Sequence, residues 1–465
     1  MSNLFDANIY IERRKALAQQ VGSGVIILPG NNDSPMNYGD NIYPFRQDST
    51  FRYYFGLDMP NLVGIIDIEN GREMIFGDDP SVETIVWIGS QIPLQEKCQS
   101  IGIQECLPHN KISSILANIT ANGRPTHFLP QYRADITIML SQYFGVEVSK
   151  IADNVSETLI KAVVDQRSIK SDLEVTCIES ALDICHDMHV AAMKHARPGM
   201  YEREVVGITE SIPRSRGVQL SFPTIFTING QTLHNLEYNN KMQAGDIVIH
   251  DSGSEDPMGY AGDITRTIPV GGKFDSFQKD IYNIVLDSQM KAIEAIKPGI
   301  EFREIYWLAS RILVDGLKDL GLMQGDTNEA VAAGAHALFF PCGLGHMIGL
   351  DVHDMQGLGE NYVGYTEKLK RSEQFGLRSL RLARALEPGF VVTVEPGIYF
   401  IPELIDQWQS GKKHLNFINY SNVAKYRSFG GVRIEDVVLV TSDSYRVLGR
   451  PIPKSIADVQ KICCS

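Results

Sequence analysis

Apolar and polar positions along this chain follow two rhythms, one before and one after residue 165. In the first part, strand-like runs at Val25–Leu28, Leu62–Ile68 and Thr84–Ile88 alternate with helical stretches and turn punctuation, which predicts a mixed α/β domain. The segment Tyr43–Leu57, YPFRQDSTFRYYFGL, is dense in aromatics and arginine. It reads as a packed core strand with a surface rim; a contribution to a substrate pocket or subunit contact is the alternative. Past a boundary near 165–171, Ser171-Asp-Leu-Glu174 matches a helix capping box, with Glu174 able to reach back to the Ser171 N–H. Val175, Ile178, Leu182, Cys185 and Met188 then recur at amphipathic-helix spacing. His186, His189 and His195 ride on that helix and read as packing residues.

The second part repeats itself. RPGMYEREV at 197–205 parallels KPGIEFREI at 297–305, each after a long amphipathic helix (Phe277–Ile296 in the second case) that the Pro-Gly stops. In both AGDIVIHD and PGFVVTVE a strand leaves a glycine and delivers a carboxylate six residues later, Asp251 and Glu395. Asp263 in GYAGDITRT and Glu435 in GGVRIEDVV each follow on a glycine-preceded strand. Two copies of one unit facing each other bring four carboxylates to a shared centre, and the common order makes duplication the simpler account.

Composition sets the boundaries of this reading. With 465 residues, 43% hydrophobic and 21% charged, the chain is a globular protein too long for one ordinary core. A formal net charge of −13 and the lack of a basic stripe exclude a nucleic-acid partner. The N-terminus has charges where a signal peptide would need an apolar core, and no apolar run reaches membrane-spanning length. The seven cysteines form no CxxC pair, so a reduced, cytoplasmic setting is expected.

Carboxylates within apolar strands are costly to bury unless paired, protonated or bound to metal. Asp251, Asp263, Glu395 and Glu435, joined by His346 of GLGHMIGLDVHD, make an oxygen-rich set with one imidazole. That set suits hard or borderline divalent ions, Mn²⁺ most naturally, with Zn²⁺, Co²⁺ or Fe²⁺ as alternatives; a structural zinc site would favour Cys and His. Two such ions about 3.5–4 Å apart can activate water near neutral pH and stabilise a developing oxyanion. His353, seven residues after His346, and His234, after the strand-like TIFTINGQTL, are placed to donate to a scissile carbonyl. Arg433 shares a strand face with Glu435 and can orient or charge-balance the ligands. The chain has no G-x-S-x-G elbow, P-loop or HExxH. Cys342 as nucleophile would need a base partner in a site already crowded by metal.

Together GYAGDITRT, GLGHMIGLDVHD, TVEPGIYF and GGVRIED resemble the pita-bread metallopeptidase family that includes aminopeptidase P and prolidase, and FRQDSTFRYYFGL resembles the N-terminal domain of those branches. The resemblance implies an α+β fold: a C-terminal pita-bread domain of duplicated αββ units over 166–465 and a smaller α/β domain over 1–165. It implies two divalent metal ions held by Asp251, Asp263, His346, Glu395 and Glu435, with Asp263 and Glu435 bridging. It also implies His234 and His353 at the substrate, Glu395 as general base, and Arg381 and Arg433 as substrate-binding groups. The reaction implied is hydrolysis of the bond between an N-terminal residue and a penultimate proline, a tertiary amide without an N–H. GLRSLR, ending at Arg381, resembles prolidases restricted to dipeptides; the RRKAL and YPFRQDS segments resemble bacterial aminopeptidase P, the branch preferred here. Cys342 stands where both branches commonly carry histidine, and the Ser254–Met258 region is one residue longer than usual. A metal-free peptide-binding homologue would not need all five ligands, and all five are present. The resemblance further implies a homodimer or homotetramer, with N-terminal domains reaching a neighbour's active site.

Overall fold

The computed structural model describes residues 4–465, which divide into two compact units. One runs to Arg167 and takes in Met355–Tyr362; the other consists of Ser168–Asp354 and Val363–Ser465.

The first unit is built on strands β1 (Val25–Pro29), β2 (Val63–Asp67), β3 (Arg72–Phe76), β4 (Glu105–Leu107) and β5 (Thr126–His127), in the order β4-β3-β2-β1-β5. The β1–β2 and β2–β3 pairs are antiparallel, and the two outer pairs are parallel. Ile27 sits opposite Ile65, and Ile65 opposite Met74. Alternate residues therefore share a face, and Val25, Ile27, Val63, Ile65, Met74 and Phe76 form one core with Ile112 and Leu116 of the helix Ile112–Ile119.

Two expectations for this unit are corrected. Thr84–Ile88 is not a strand but part of the helix Val82–Ile88, because the Ser81 hydroxyl accepts the Thr84 N–H and starts a helical turn. Tyr43–Leu57 holds no core strand. Asp48 accepts the Phe51 N–H, and Gly56, at φ 64°, closes a helix over Ser49–Phe55 that buries Phe51, Tyr54 and Phe55. In both segments β-prone side chains are overruled by a cap at each end.

The second unit shows the duplication. Its first copy has the helices Asp172–His195 and Glu202–Ser215 and the sheet β6 (Ile225–Thr227), β7 (Ile247–Ser252), β8 (Ile264–Pro269). The capping box at Ser171 and Glu174 forms as its sequence predicts. The second copy has the helices Ser276–Glu294 and Phe302–Asp319. After them come β9 (Val391–Val394), β10 (Gly397–Tyr399), β11 (Gly431–Arg433), β12 (Asp436–Val440) and β13 (Tyr445–Val447). Strands β13-β12-β9 make an antiparallel sheet and β10-β11 a two-stranded ribbon.

The two copies are stitched together where β8 meets the β11–β12 junction. Glu435 N–H donates to the Thr265 carbonyl at 3.1 Å, and the Thr267 hydroxyl donates to the Arg433 carbonyl at 3.0 Å. Beneath them Arg266, 1% exposed, pairs with Asp436 at 2.7 Å, and Lys454 reaches the other Asp436 oxygen at 2.6 Å. Burial alone would push the Asp436 carboxyl up; Arg266 and Lys454 overcome it and hold the pKa at about 2.

Two substitutions test this packing. In the first unit the fully buried Arg14 spans Glu73 at 2.7 Å and the Tyr54 and Ile101 carbonyls at 2.9 and 3.0 Å. Arg14→Met should cost about 3 kcal/mol in urea denaturation, since it strands all three acceptors; a cost below about 1 kcal/mol would refute the anchoring role. In the β7–β8 loop, burial pushes Asp256 up to about 6, against the Tyr260 and Met258 N–H bonds it accepts. A carboxyl raised above its unfolded value stabilises most below about pH 4 and loses that contribution as pH rises through 6. Between pH 5 and 7.5 the protein should therefore lose about 1 kcal/mol relative to Asp256→Asn; parallel pH profiles for the two would contradict it.

Candidate metal centre

Each acidic residue of the centre stands at a strand end. Asp251 lies near the end of β7 opposite Ile225 and Thr265, Asp263 precedes β8, Glu395 follows β9, and Glu435 precedes β12. His346 comes from an irregular segment laid against β9. Its N–H donates to Thr393 Oγ1 at 3.1 Å, its carbonyl accepts the Thr393 N–H at 2.9 Å, and the Leu344 carbonyl accepts the Glu395 N–H at 2.8 Å. Gly345 permits that approach, because a Cβ there would lie 2.0 Å from the Thr393 carbonyl oxygen.

Asp263, His346 and Glu435, all buried, bring ligand atoms within 4.8 Å of one another. His346 Nε2 is 3.5 Å from Asp263 Oδ2 and 3.5 Å from Glu395 Oε1. Its Nδ1 lies 3.0 Å from the Met347 carbonyl, a contact that places the proton on Nδ1 and leaves the Nε2 lone pair facing the carboxylates. Arg433, 3% exposed, donates from Nη2 to Asp251 Oδ2 at 2.7 Å, from Nη1 to Tyr399 Oη at 2.9 Å and from Nε to Thr265 Oγ1 at 3.2 Å. Thr265 in turn donates to Glu435 Oε2 at 2.7 Å. Arg433 thus serves Asp251 directly and reaches Glu435 through a threonine.

The electrostatics are those of a site built for cations. Burial, then the neighbouring acids, pushes the Asp263 and Glu435 carboxyls well up, and burial raises Glu395 against the pull of His346 and Arg433. Burial likewise pushes His346 down and keeps its imidazole neutral. One oxygen on each of Asp251, Asp263 and Glu435 is buried with no hydrogen-bond partner, a costly state for a polar atom. Three orphaned carboxylate oxygens beside a neutral imidazole lone pair fit hard or borderline divalent cations.

The remaining candidates cluster at the same place. His353 packs edge-on to His346 with ring centroids 4.4 Å apart. His234 lies on an exposed loop, its pKa lowered by burial and by the Arg433 charge, with Asp251 opposing. The Arg381 charge is felt at His234, His346 and Glu395. Burial and the Glu395 charge push the Cys342 thiol up to about 12, which leaves it protonated and a poor nucleophile at neutral pH. Thr265, Thr393 and Tyr399 had no place in the sequence reading. The two threonines carry a signal: each is two residues from an acid, Asp263 or Glu395, and so shares its strand face.

The family model for metallopeptidase family M24 matches residues 176–442, and that for the aminopeptidase P N-terminal domain matches residues 10–128. The chain belongs to metallopeptidase family M24. It is 31% identical to the Xaa-Pro dipeptidase of Homo sapiens over 455 residues, spanning 96% of this chain and 90% of the relative. It is also 31% identical to a probable Xaa-Pro aminopeptidase of Uncinocarpus reesii over 463 residues, 96% and 91% of the two chains. Its fold superposes on Escherichia coli aminopeptidase P with a TM-score of 0.82 and 28% identity, covering 99% of this chain and 98% of that one. That enzyme has been solved zinc-substituted with product and with the inhibitor Pro-Leu. The second unit is accordingly a pita-bread fold and the protein a metallopeptidase, α+β as expected. Among the described residues, no helix is long and apolar enough to cross a membrane.

The threonine relay yields a direct test. Thr265→Val keeps the side-chain shape but removes the donor to Glu435 and the acceptor of Arg433. Divalent-ion affinity, measured by calorimetry with Mn²⁺, should fall about tenfold or more; unchanged affinity would remove Thr265 from the site.

Proposed function

We propose that this metallopeptidase is an Xaa-Pro aminopeptidase, releasing an N-terminal residue from a penultimate proline with two divalent ions, Mn²⁺ most naturally. The observation that carries the reading is the set of buried, unpartnered oxygens on Asp251, Asp263 and Glu435 around the His346 lone pair, in a chain matched along nearly its whole length by Xaa-Pro peptidases. Asp251, Asp263, His346, Glu395 and Glu435 would hold the ions, with Asp263, His346 and Glu435 already gathered within 4.8 Å of one another. Bound there, the ions would activate a water and polarise the scissile carbonyl.

The chain's own groups do the rest. Glu395, whose side chain is 22% exposed, takes the proton of the attacking water and passes it to the proline nitrogen, which has none of its own. His234, held neutral at physiological pH by the downward shift of its pKa, donates an N–H to the developing oxyanion, and His353 does so beside it. Arg381 fixes the far end of a short peptide through its carboxylate. That role favours a second reading, a dipeptide-restricted prolidase, the activity named for the Homo sapiens relative.

The catalytic domain is taken as 166–465 and the N-terminal domain as 1–165. The cysteines are all free thiols, in keeping with a reducing, cytoplasmic setting. The helix Val82–Ile88 exposes Val82, Val86, Trp87 and Ile88, with Trp87 82% exposed. Such a strip suits burial against a second subunit of a homodimer or homotetramer.

Turnover of Xaa-Pro and Xaa-Pro-Xaa peptides with added Mn²⁺ tests the reading. Cleavage of both supports the aminopeptidase, of the dipeptide alone the prolidase, and of neither would refute the proposal. Asp263→Asn should abolish turnover, and His353→Ala should lower kcat about 10²-fold or more. Sedimentation of the protein against Trp87→Ser/Val86→Ser should show the variant dissociating; an unchanged mass would discount that helix as the contact.

A further inference from the structure

The loop that carries His234 has no regular structure, yet it is fastened at both ends by a single side chain. Glu202, the first residue of the helix Glu202–Ser215, is fully buried. One carboxylate oxygen accepts the Ile228 N–H at 2.8 Å. The other accepts the Asn240 N–H at 3.2 Å, and the Asn240 side-chain amide lies 3.1 and 2.9 Å from the two oxygens. Ile228 and Asn240 stand six residues before and six residues after His234. Between the ends, Asn235 Nδ2 donates to Thr227 Oγ1 at 2.9 Å, and the Tyr238 hydroxyl donates to the Thr224 carbonyl. Gly230 lies so close to the start of β11 that a Cβ would come within 2.8 Å of the Gly431 nitrogen. The loop is thereby held against the strand that ends in Arg433.

The duplication separates what the fold requires here from what the loop requires. In the first copy Gly199, Glu202 and Arg203 donate their N–H groups to the Met242, Asn240 and Tyr238 carbonyls. In the second copy Gly299, Phe302 and Arg303 donate to the Leu386, Arg384 and Ala383 carbonyls. Tyr201 bridges to Lys241 as Glu301 bridges to Ala385. The pairing matches at the first two bonds and at the bridge and shifts by one residue at the third, and Phe302 fills the position of Glu202, also fully buried. The architecture therefore asks only for a buried side chain at that point. A carboxylate is present in the copy whose loop carries an imidazole, and its hydrogen bonds all go to that loop. Among the described residues no lysine or arginine pairs with it, so N–H donors alone compensate its burial.

We propose that Glu202 is a positioning residue for catalysis: its carboxylate clasps the 228–240 loop and sets where the His234 imidazole stands above the metal centre. The proposal rests on the reading of His234 as a substrate-contacting group. Glutamine at 202 keeps the shape but turns one acceptor into a donor that faces N–H groups whichever way the amide lies. A loosened loop leaves His234 present and misplaced, a fault in kcat more than in substrate affinity.

A double-mutant cycle tests it, with kcat, KM, bound Mn²⁺ and melting temperature measured for each variant on an Xaa-Pro substrate. Glu202→Gln should lower kcat about tenfold with KM within about twofold and metal content unchanged. In a His234→Ala background, itself reduced about 10²-fold and read by single turnover, Glu202→Gln should change kcat by less than about twofold. Asn240→Ala, which leaves both backbone donors in place, should show a smaller loss with the same dependence on His234. Glu202→Gln/Asn240→Asp, which gives the new amide an acceptor, should regain part of the single variant's loss. Losses that multiply in full with His234→Ala, or that accompany lost metal, would make Glu202 an ordinary stabilising residue and overturn the proposal. Full kcat in both Glu202→Gln and Asn240→Ala would overturn it while leaving His234's role intact. Full activity of His234→Ala would overturn that role and leave the clasp nothing to position.

Discussion

Four acidic side chains converge on one buried point, and most of the second unit can be understood as the means of tolerating them. Burial first, and then the repulsion of like charges in a poorly solvated site, pushes the Asp263 and Glu435 carboxyls well up. The protein supplies only partial relief of its own. Arg433 serves Asp251 and Thr265 serves Glu435, while one oxygen on each of three carboxylates has no partner. The polypeptide is complete around a charge it does not itself neutralise, and affinity for a divalent cation follows from that shortfall.

The duplicated architecture explains how such a concentration arises from a chain whose local sequence is unremarkably apolar. Each copy ends two strands at the centre, and each strand end delivers one carboxylate. No segment carries more than one of the four, so each strand can fold on ordinary hydrophobic and β-sheet preferences. Part of the electrostatic cost arises within the first copy, where Asp251 raises Asp263, and it is completed when β8 and the β11–β12 junction join through Thr265, Thr267, Arg433 and Glu435. Arg266 and Lys454, on the far side of that seam, confine the adjacent Asp436 to a separate, fully compensated ion pair. Neighbouring acids in sequence thus meet opposite environments.

What could be read before any coordinates depended on whether the deciding interaction was local. The capping box at Ser171 and the strands β1, β2, β7, β8, β9 and β12 follow from short-range pattern. The metal-ligand candidates could be read because a carboxylate within an apolar strand is anomalous wherever it occurs. Thr84–Ile88 and Tyr43–Leu57 misled because their side chains favour strands, whereas Ser81, before the first run, and Asp48, within the second, commit the backbone to helices. Contacts across more than 150 residues, such as Arg433 to Asp251 or Thr265 to Glu435, leave no trace in local spacing. Glu202 was hidden for a different reason: as a glutamate in the first turn of a helix it passes for a routine N-terminal residue, and only its pairing with Phe302 across the repeat sets it apart.

The glycine at 345 has a consequence for metal choice. Because the main chain there presses against Thr393, the His346 imidazole is located by backbone geometry, with little room for adjustment. Of the carboxylates, Asp251 and Glu435 are each tied through one oxygen, to Arg433 and to Thr265, and keep the other oxygen unpartnered. Were the proposed ions bound here, a change of ionic radius would fall first on those unpartnered oxygens rather than on the imidazole. A strict placement of the histidine would in this way be compatible with ions of more than one size.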